Sequence, residues 1–332
     1  MAGFKDLIGH KKEIAHLEQA IAAGKVSHAY IFSGDKGTGK KMLADAFAIT
    51  LQCTGEGERP CRKCHSCRQA IGGNHPDIIY VKHEKPNSIS VDDIREQLTG
   101  DIQIRPYNGK YKIYIIQDAE KMTVQAQNAI LKTIEEPPEY AIILLLTTNE
   151  QVFLDTIRSR CVLLSLKAVP DEAVKAYLME QIQIPDYQAD ICVAFAQGNI
   201  GKAVRLASSE DFSMIKASAM QLIRNAGRME INEIIDFVKG IQDYKISIQD
   251  YLDILALWYR DMVYYKATKD IDGIVFRDDI RTIREMVKVC SYEGAEEVMN
   301  AIETAKTRLA ANVNFDLTME LLFLVIKENI HG

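Results

Sequence analysis

The 332 residues exceed what one ordinary core requires, and 47% hydrophobic with 26% charged residues describes a globular chain of two or three domains. A formal net charge of -6 and a pI near 5.7 exclude a protein that coats nucleic acid through a broad basic field, while a local basic patch stays compatible. No apolar run has the length of a membrane span and Met1-Ala2-Gly3-Phe4-Lys5-Asp6 lacks a signal-peptide core, so a cytoplasmic location is expected, in which seven cysteines serve as metal ligands or buried thiols and not as a disulfide framework.

Along the chain, Leu17, Ile21 and Ala22 recur at helical spacing before Gly24, which can stop the helix. The apolar run Ala29-Tyr30-Ile31-Phe32 reads as a buried strand, and Met42 to Ile49 as the helix after it. A Gly-, Cys- and Arg-rich interruption from Cys53 to His75 separates these from a second strand, Asp77 to Val81. A helix begins near Ser90, where Ser90 and Asp93 have capping-box form, with Ile94 and Leu98 on one face. Tyr111 to Ile116 is a third strand. Val124 to Glu135 is a helix ended by Pro137-Pro138. Ala141 to Leu146 is a continuous apolar, central strand, and Val162 to Leu166 a shorter fifth. Strands alternating with helices imply a parallel α/β sheet. After Pro170 the strand signal disappears: Glu172 to Gln183, Ala189 to Gln197 and Ile200 to Ser208 read as short helices, and the pattern stays helical from 210 onward. The expected domains are an α/β domain over 1–167 with a cysteine module at about 53–75, a small helical domain over 168–209, and an all-helical domain over 210–332.

Strand, glycine-rich turn, lysine and helix together form the context of a phosphate-binding P-loop, here Ser33-Gly34-Asp35-Lys36-Gly37-Thr38-Gly39-Lys40-Lys41. Glycines let backbone N–H groups surround phosphate oxygens, and Lys40 reaches the outer phosphates. The motif requires Ser or Thr after the lysine to hold magnesium, and Lys41 stands there. The second element of such a site, an acid at a strand end, falls on Gln117-Asp118 after Ile113 to Ile116, and Gln117 is neutral. A one-residue slip would make Asp118 the metal acid. Loss of both magnesium contacts predicts no ATP hydrolysis by this chain and no resident magnesium; ATP or ADP binding through Lys40 and the glycine backbone stays open.

Cys53, Cys61, Cys64 and Cys67 give overlapping Cys-x2-Cys spacings on one short loop, which suits a closed tetrahedral zinc site of structural type. An iron–sulfur cluster is disfavoured, since its bacterial run places a fourth cysteine before a proline, where Ile71 stands. His65 and His75 are spare ligands. Cys161, Cys192 and Cys290 read as core thiols. In Thr156-Ile157-Arg158-Ser159-Arg160-Cys161, beside the last strand, an arginine has the permanent charge and planar fork suited to reach a phosphate from outside.

Jointly these residues resemble the delta-prime family of bacterial DNA polymerase III clamp-loader subunits, within the clamp-loader branch of AAA+ proteins. The segments that carry the resemblance are Phe4 to Gly9, Ser27-His28-Ala29-Tyr30, the cysteine module, Asn128 to Pro138, Thr147-Thr148-Asn149, Ile157 to Cys161 and Gly198 to Ala203. The last third matches more weakly, through Ala311-Asn312-Val313-Asn314-Phe315. The resemblance implies a RecA-like AAA+ P-loop domain with an inserted zinc module, a helical lid and an all-α collar. It implies a hetero-pentamer with tau/gamma and delta that loads the sliding clamp on primed DNA. It assigns Arg160 as an arginine finger acting in trans on a neighbour's ATP, Thr148 and Asn149 as first-sensor residues, and Lys202 to the place where active relatives carry a second-sensor arginine. Lys41, Gln117 and Lys202 depart from the active pattern and support a non-hydrolysing member.

Two other readings compete. Intact Lys40 allows an active tau/gamma-like ATPase; Arg62, Lys63 and Arg68 beside the cysteines allow a zinc-bearing DNA-binding regulator, against the acidic net charge. Tyr251 to Tyr265, apolar on more than one helix face, is either an assembly surface or a buried core helix.

Overall fold

The computed structural model describes residues 3–242, 248–311 and 313–330. The chain divides into two compact units, Met1–Val174 with Gly198–Lys202, and Lys175–Gln197 with Ala203–Gly332.

The first unit is built on a five-stranded, all-parallel sheet, β1 (Ala29–Ser33), β2 (Ile78–Val81), β3 (Lys112–Ile116), β4 (Ala141–Thr147) and β5 (Val162–Ser165), in the order β2-β3-β4-β1-β5. The strands expected from the apolar runs therefore exist within one residue at each end. The sheet is covered on both faces, which is why its strands read as continuous apolar runs and not as alternating ones. One face carries Ile31, Tyr114, Ile116, Ile143 and Leu145 against Ile94, Leu98, Ala126, Ile130 and Ile134. The other carries Tyr30, Phe32, Ile113, Ile115, Leu144 and Leu146 against Leu17, Leu43, Ala44 and Phe47.

The covering helices are α1 (Lys11–Ala22), α2 (Lys40–Gln52), α3 (His65–Ile71), α4 (Val91–Ile94), α5 (Val124–Glu135) and α6 (Asp155–Arg158), with α7 (Asp171–Tyr177) following β5. Ser90 and Asp93 make the reciprocal capping box that the sequence proposes. Beyond α4 the chain widens into a π turn over Arg95–Thr99, which keeps Leu98 in the core. Thr123 caps α5, and Pro137-Pro138 follow its end. Lys112 of β3 places a charged side chain inside the sheet layer. Lys112 is 1% exposed, and its ammonium meets Asp101 Oδ2 at 2.8 Å and the carbonyls of Asp101 and Ile104 at 3.0 and 3.1 Å.

The regular elements of the second unit are helices among the described residues: α8 (Asp186–Ala196), α9 (Ile200–Ala207, whose first residues belong to the first unit), α10 (Glu210–Asn225), α11 (Ile231–Gly240), α12 (Ile248–Thr268), α13 (Ile280–Val289), α14 (Tyr292–Ala310) and α15 (Phe315–Glu328). At its centre is α12, packed by α10, α13 and α14. Leu252, Leu255, Trp258, Tyr259 and Met262 are fully buried, so the many-sided apolar pattern of this helix is that of a core helix and not of an assembly surface. Trp258 Nε1 donates to Asp279 Oδ2 at 2.9 Å, and Arg224 and Thr282 complete the partners of that buried carboxylate. Within the segment 311–315, Asn312 lies outside the described residues.

Candidate functional site

The glycine-rich turn leaves the C-terminal end of β1, which lies between β4 and β5, and the carboxyl ends of the strands are where open α/β sheets place ligands. Gly37 and Gly39 have φ of 94° and 98°, in the left-handed region that favours glycine. Gly37 is doubly constrained, since a Cβ there would stand 2.5 Å from Asn199 Oδ1.

The loop is held by donors on successive carbonyls. Lys40 Nζ donates to Gly34 O and, at 2.8 Å, to Asp35 O; Thr38 Oγ1 also donates to Asp35 O at 2.8 Å. Asn199 Nδ2 donates to Lys36 O at 2.7 Å, Gly201 N to Gly37 O at 3.0 Å, and the His10 ring Nε2 lies 2.9 Å from Thr38 O. The loop is thus preorganised by its own chain. A phosphate would have to compete with the Gly34 and Asp35 carbonyls for the Lys40 ammonium. Burial pulls that ammonium below the usual lysine range, against the carboxylates of Glu120, Asp35 and Asp118.

Lys41 turns away from this loop. Its Nζ is 2.9 Å from Asp45 Oδ2 and 5.1 Å from the centre of the Tyr80 ring, and Tyr80 OH donates to Asp45 Oδ1 at 2.7 Å.

β3 ends at Ile116, so Gln117 and Asp118 are the first residues past the strand, in the register read from the sequence. Asp118 adopts a left-handed backbone (φ 49°) and opens a 3-10 turn over Ala119–Lys121. Its carboxylate pairs with Lys121 at 2.9 Å. That turn brings Glu120 to Thr148, whose hydroxyl donates to Glu120 Oε1 at 2.7 Å and whose N–H donates to Oε2 at 3.3 Å. Asn149 does not share this contact; its side chain accepts from Gln151 N at 2.9 Å and caps the turn Glu150–Val152. Lys202 adjoins the P-loop clasp through its N–H, which donates to Asn199 Oδ1 at 2.9 Å. Glu120 and Asn199 were not picked out from the sequence. The Asp118-Ala119-Glu120 run carried a signal for the first, and Asn199 lies inside the Gly198 to Ala203 segment of the resemblance, which gave it no individual role.

Arg160 follows α6. Its Nη2 is 3.1 Å from Glu135 Oε1, and Nη1 donates to Thr156 O at 3.0 Å and to Ser159 Oγ at 3.3 Å. None of these partners belongs to the P-loop.

The four cysteines converge as their spacing requires. The Sγ atoms of Cys53, Cys61, Cys64 and Cys67 lie within 4.8 Å of one another. Backbone N–H groups of Cys61, Cys64 and Cys67 point at the sulfurs of Cys53, Cys61 and Cys64, each at 3.3 Å. Gly55 leaves room for them, since a Cβ there would stand 2.5 Å from Cys61 Sγ. N–H groups of Cys64 and Lys63 hold the Cys61 thiol down. Burial opposes the same effect at Cys64, where hydrogen bonds from Cys67 and Thr54 prevail and set the thiol at about 5. Burial pushes Cys67 up. Four sulfurs at this separation, with the Cys61 and Cys64 thiols both shifted toward easier ionisation, fit a closed tetrahedral zinc site. His75 is not a spare ligand. Its Nδ1 accepts from Asp77 N at 3.1 Å, and its Nε2 lies 2.9 Å from Ser66 Oγ, which itself donates to Gln52 O at 2.6 Å. Since the Ser66 proton is committed to Gln52, Nε2 carries the imidazole hydrogen.

The neighbouring basic residues are engaged locally: Arg62 pairs with Asp6 at 3.0 Å, and Arg68 Nε donates to Lys63 O at 2.9 Å. Burial pushes the Cys161 thiol up to about 12 and Cys192 to about 11, as befits core thiols.

A family model described as "DNA polymerase III, delta subunit" matches residues 9–170. The chain is 30% identical to DNA polymerase III subunit delta' of Bacillus subtilis over 325 residues, covering 94% of each chain. The chain belongs to the DNA polymerase III delta-prime family. The chain also shares sequence with a tau subunit: that of Bacillus subtilis is 27% identical over 322 residues, and the match spans 90% of this chain but 57% of tau. Among solved structures, a DNA polymerase III gamma subunit-related protein from Thermotoga maritima superposes with a TM-score of 0.50 at 19% identity, covering 95% of this chain and 99% of that one, a likeness of fold. Among the described residues no helix is long and apolar enough to cross a membrane.

Proposed function

We propose that this delta-prime-family chain is a non-hydrolysing clamp-loader subunit that assembles with tau/gamma and delta in a hetero-pentamer, loads the sliding clamp on primed DNA and lends Arg160 in trans to a neighbour's ATP. The observation that carries the non-hydrolysing half is the Lys41–Asp45 contact at 2.9 Å. A metal-holding hydroxyl is missing at that position, and the residue in its place is cationic and turned along the helix. Phosphoryl transfer depends on metal charge and positioning, so a site without these does not turn over. The half-exposed Arg160 fork supports the trans role.

On this reading the P-loop residues Gly34, Gly37, Thr38, Gly39, Lys40 and Lys41 form a static phosphate cradle at most, with Thr148, Asn149 and Lys202 as sensor remnants beside it. The domains are the AAA+ domain over 1–167, a lid over 168–209 and a collar over 210–332. Cys53, Cys61, Cys64 and Cys67 hold zinc, which when bound crosslinks the loop after α2. The pairing of Arg62 with Asp6 removes one of the cations that a DNA-binding regulator would present.

The test is reconstitution from purified tau/gamma, delta and this chain, with ATP turnover measured for each alone and together. The chain alone is expected to show background turnover, and the mixture a rate that depends on adding it. Turnover by the isolated chain, or failure to co-purify with tau/gamma and delta, would refute the reading.

A further inference from the structure

Glu135 is the last residue of α5, an end at which the helix macrodipole disfavours a negative charge. The helix stops there because Glu136 leaves the helical region (φ -126°, ψ 65°) ahead of Pro137-Pro138. A carboxylate is therefore fixed on a rigid element where the local field does not favour it, and its partner is the Arg160 guanidinium, 3.1 Å away. Thr156 O and Ser159 Oγ take two more hydrogen bonds from the same side chain. Both of these bonds come from Nη1, while Nη2 faces the Glu135 carboxylate as an ion pair, so part of the five-donor fork is free of the Thr156 and Ser159 acceptors. Both side chains remain partly open to solvent, at 40% and 45%.

We propose that Glu135 is a positioning residue for Arg160. It holds the guanidinium by part of its fork and leaves the remaining donors for a phosphate of the neighbouring subunit. This inference rests on the trans-finger reading given above. Magnitude separates a guide from a lock. An exposed ion pair shifts a population by a few-fold. That is too little to withhold an arginine from a polyphosphate, which carries several charges against one. It is enough to bias a long side chain, otherwise spread over many rotamers, toward one placement before the neighbour arrives.

The experiment compares reconstituted loaders carrying the full chain as wild type, R160A, E135A, E135Q and the E135A/R160A double variant, each checked for assembly by size exclusion. R160A is expected to lower kcat. E135A is expected to lower kcat about two- to five-fold, the weight of an exposed ion pair, with KM for ATP unchanged. E135Q recovers part of that loss, because its amide oxygen still offers the guanidinium an acceptor at the same place. The double variant matches R160A alone, since a guide without its arginine has nothing to place. An E135A rate that is unchanged or raised, with R160A impaired, overturns the positioning role alone. So does a double variant slower than R160A by the same factor that E135A shows alone. An R160A loader with normal kcat overturns the finger reading and this proposal together.

Discussion

The Lys41 ammonium and the Asp45 carboxylate meet at 2.9 Å across one turn of α2, beside the Tyr80 ring. The position that in an active loop faces the metal is thereby tied into the helix surface. Substituting Lys41→Thr removes an exposed pair, so it should change stability by less than about 1 kcal/mol. It also supplies the missing hydroxyl. The expected result is nucleotide affinity that becomes magnesium-dependent, with turnover still at background because Gln117 remains neutral. Calorimetric titration of ADP with and without magnesium checks this; the same affinity in both conditions for the variant would count against the argument.

The thiol cluster should bind zinc at one ion per chain, because four ligands fill a tetrahedral site. Cys61→Ala and Cys64→Ala should each lose the metal and lower the thermal midpoint, as should a strong chelator on the wild type. Elemental analysis of gently purified protein decides it, and iron or an empty site would be the contrary result.

Lys112 is a buried cation whose removal takes the ammonium from two carbonyls and leaves the Asp101 carboxylate with the Tyr114 hydroxyl as donor but no countercharge from this side chain. Breaking a buried pair on one side costs 3–5 kcal/mol, and Asp101 keeps 31% exposure, so Lys112→Ala should destabilise the first unit by about 3 kcal/mol. Replacing Lys112 and Asp101 together should cost less than the sum of the two single changes. Denaturant titration of the four proteins gives the comparison.

Burial holds His75 below the usual histidine range, against the Asp77 charge. Its Nδ1 is the acceptor for Asp77 N–H, so a proton there abolishes that bond. The folded pKa lies below the unfolded one, so the unfolded chain binds the proton more readily. The contribution is complete above about pH 6.5 and is lost as pH falls through the folded value. His75→Gln should flatten this component of the stability–pH curve in metal-loaded protein. Parallel curves for wild type and variant between neutral pH and pH 5 would contradict it.

How much could be read from the sequence follows from what each residue faces. The five strands were legible because both faces of the sheet are covered, leaving Ala141 to Leu146 and its neighbours uniformly apolar. The P-loop and the cysteine cluster were legible because their spacing is local. Glu120 was not, because it reaches Thr148 through the left-handed turn at Asp118, a conformation that no hydrophobic period reports. Periodicity could not choose between a core and a surface role for α12, since an all-round apolar helix is the signature of either; Trp258 and Tyr259 at 0% exposure decide it. His75 was offered as a ligand by its proximity in sequence, and its hydrogen bonds to Ser66 and Asp77 claim both ring nitrogens. Lys112 looks like a strand-edge lysine until Asp101 folds back over it.

The most direct test of the division of labour compares Lys40→Ala and Arg160→Ala in otherwise wild-type reconstituted loaders, reading steady-state ATP turnover. An arginine finger contributes about 10³–10⁵ in rate at the site it serves. The account predicts that Arg160→Ala suppresses the turnover of the neighbouring site, while Lys40→Ala leaves turnover as it was. Abolished turnover with Lys40→Ala and a normal rate with Arg160→Ala would show that this chain burns ATP in its own loop and would contradict the account.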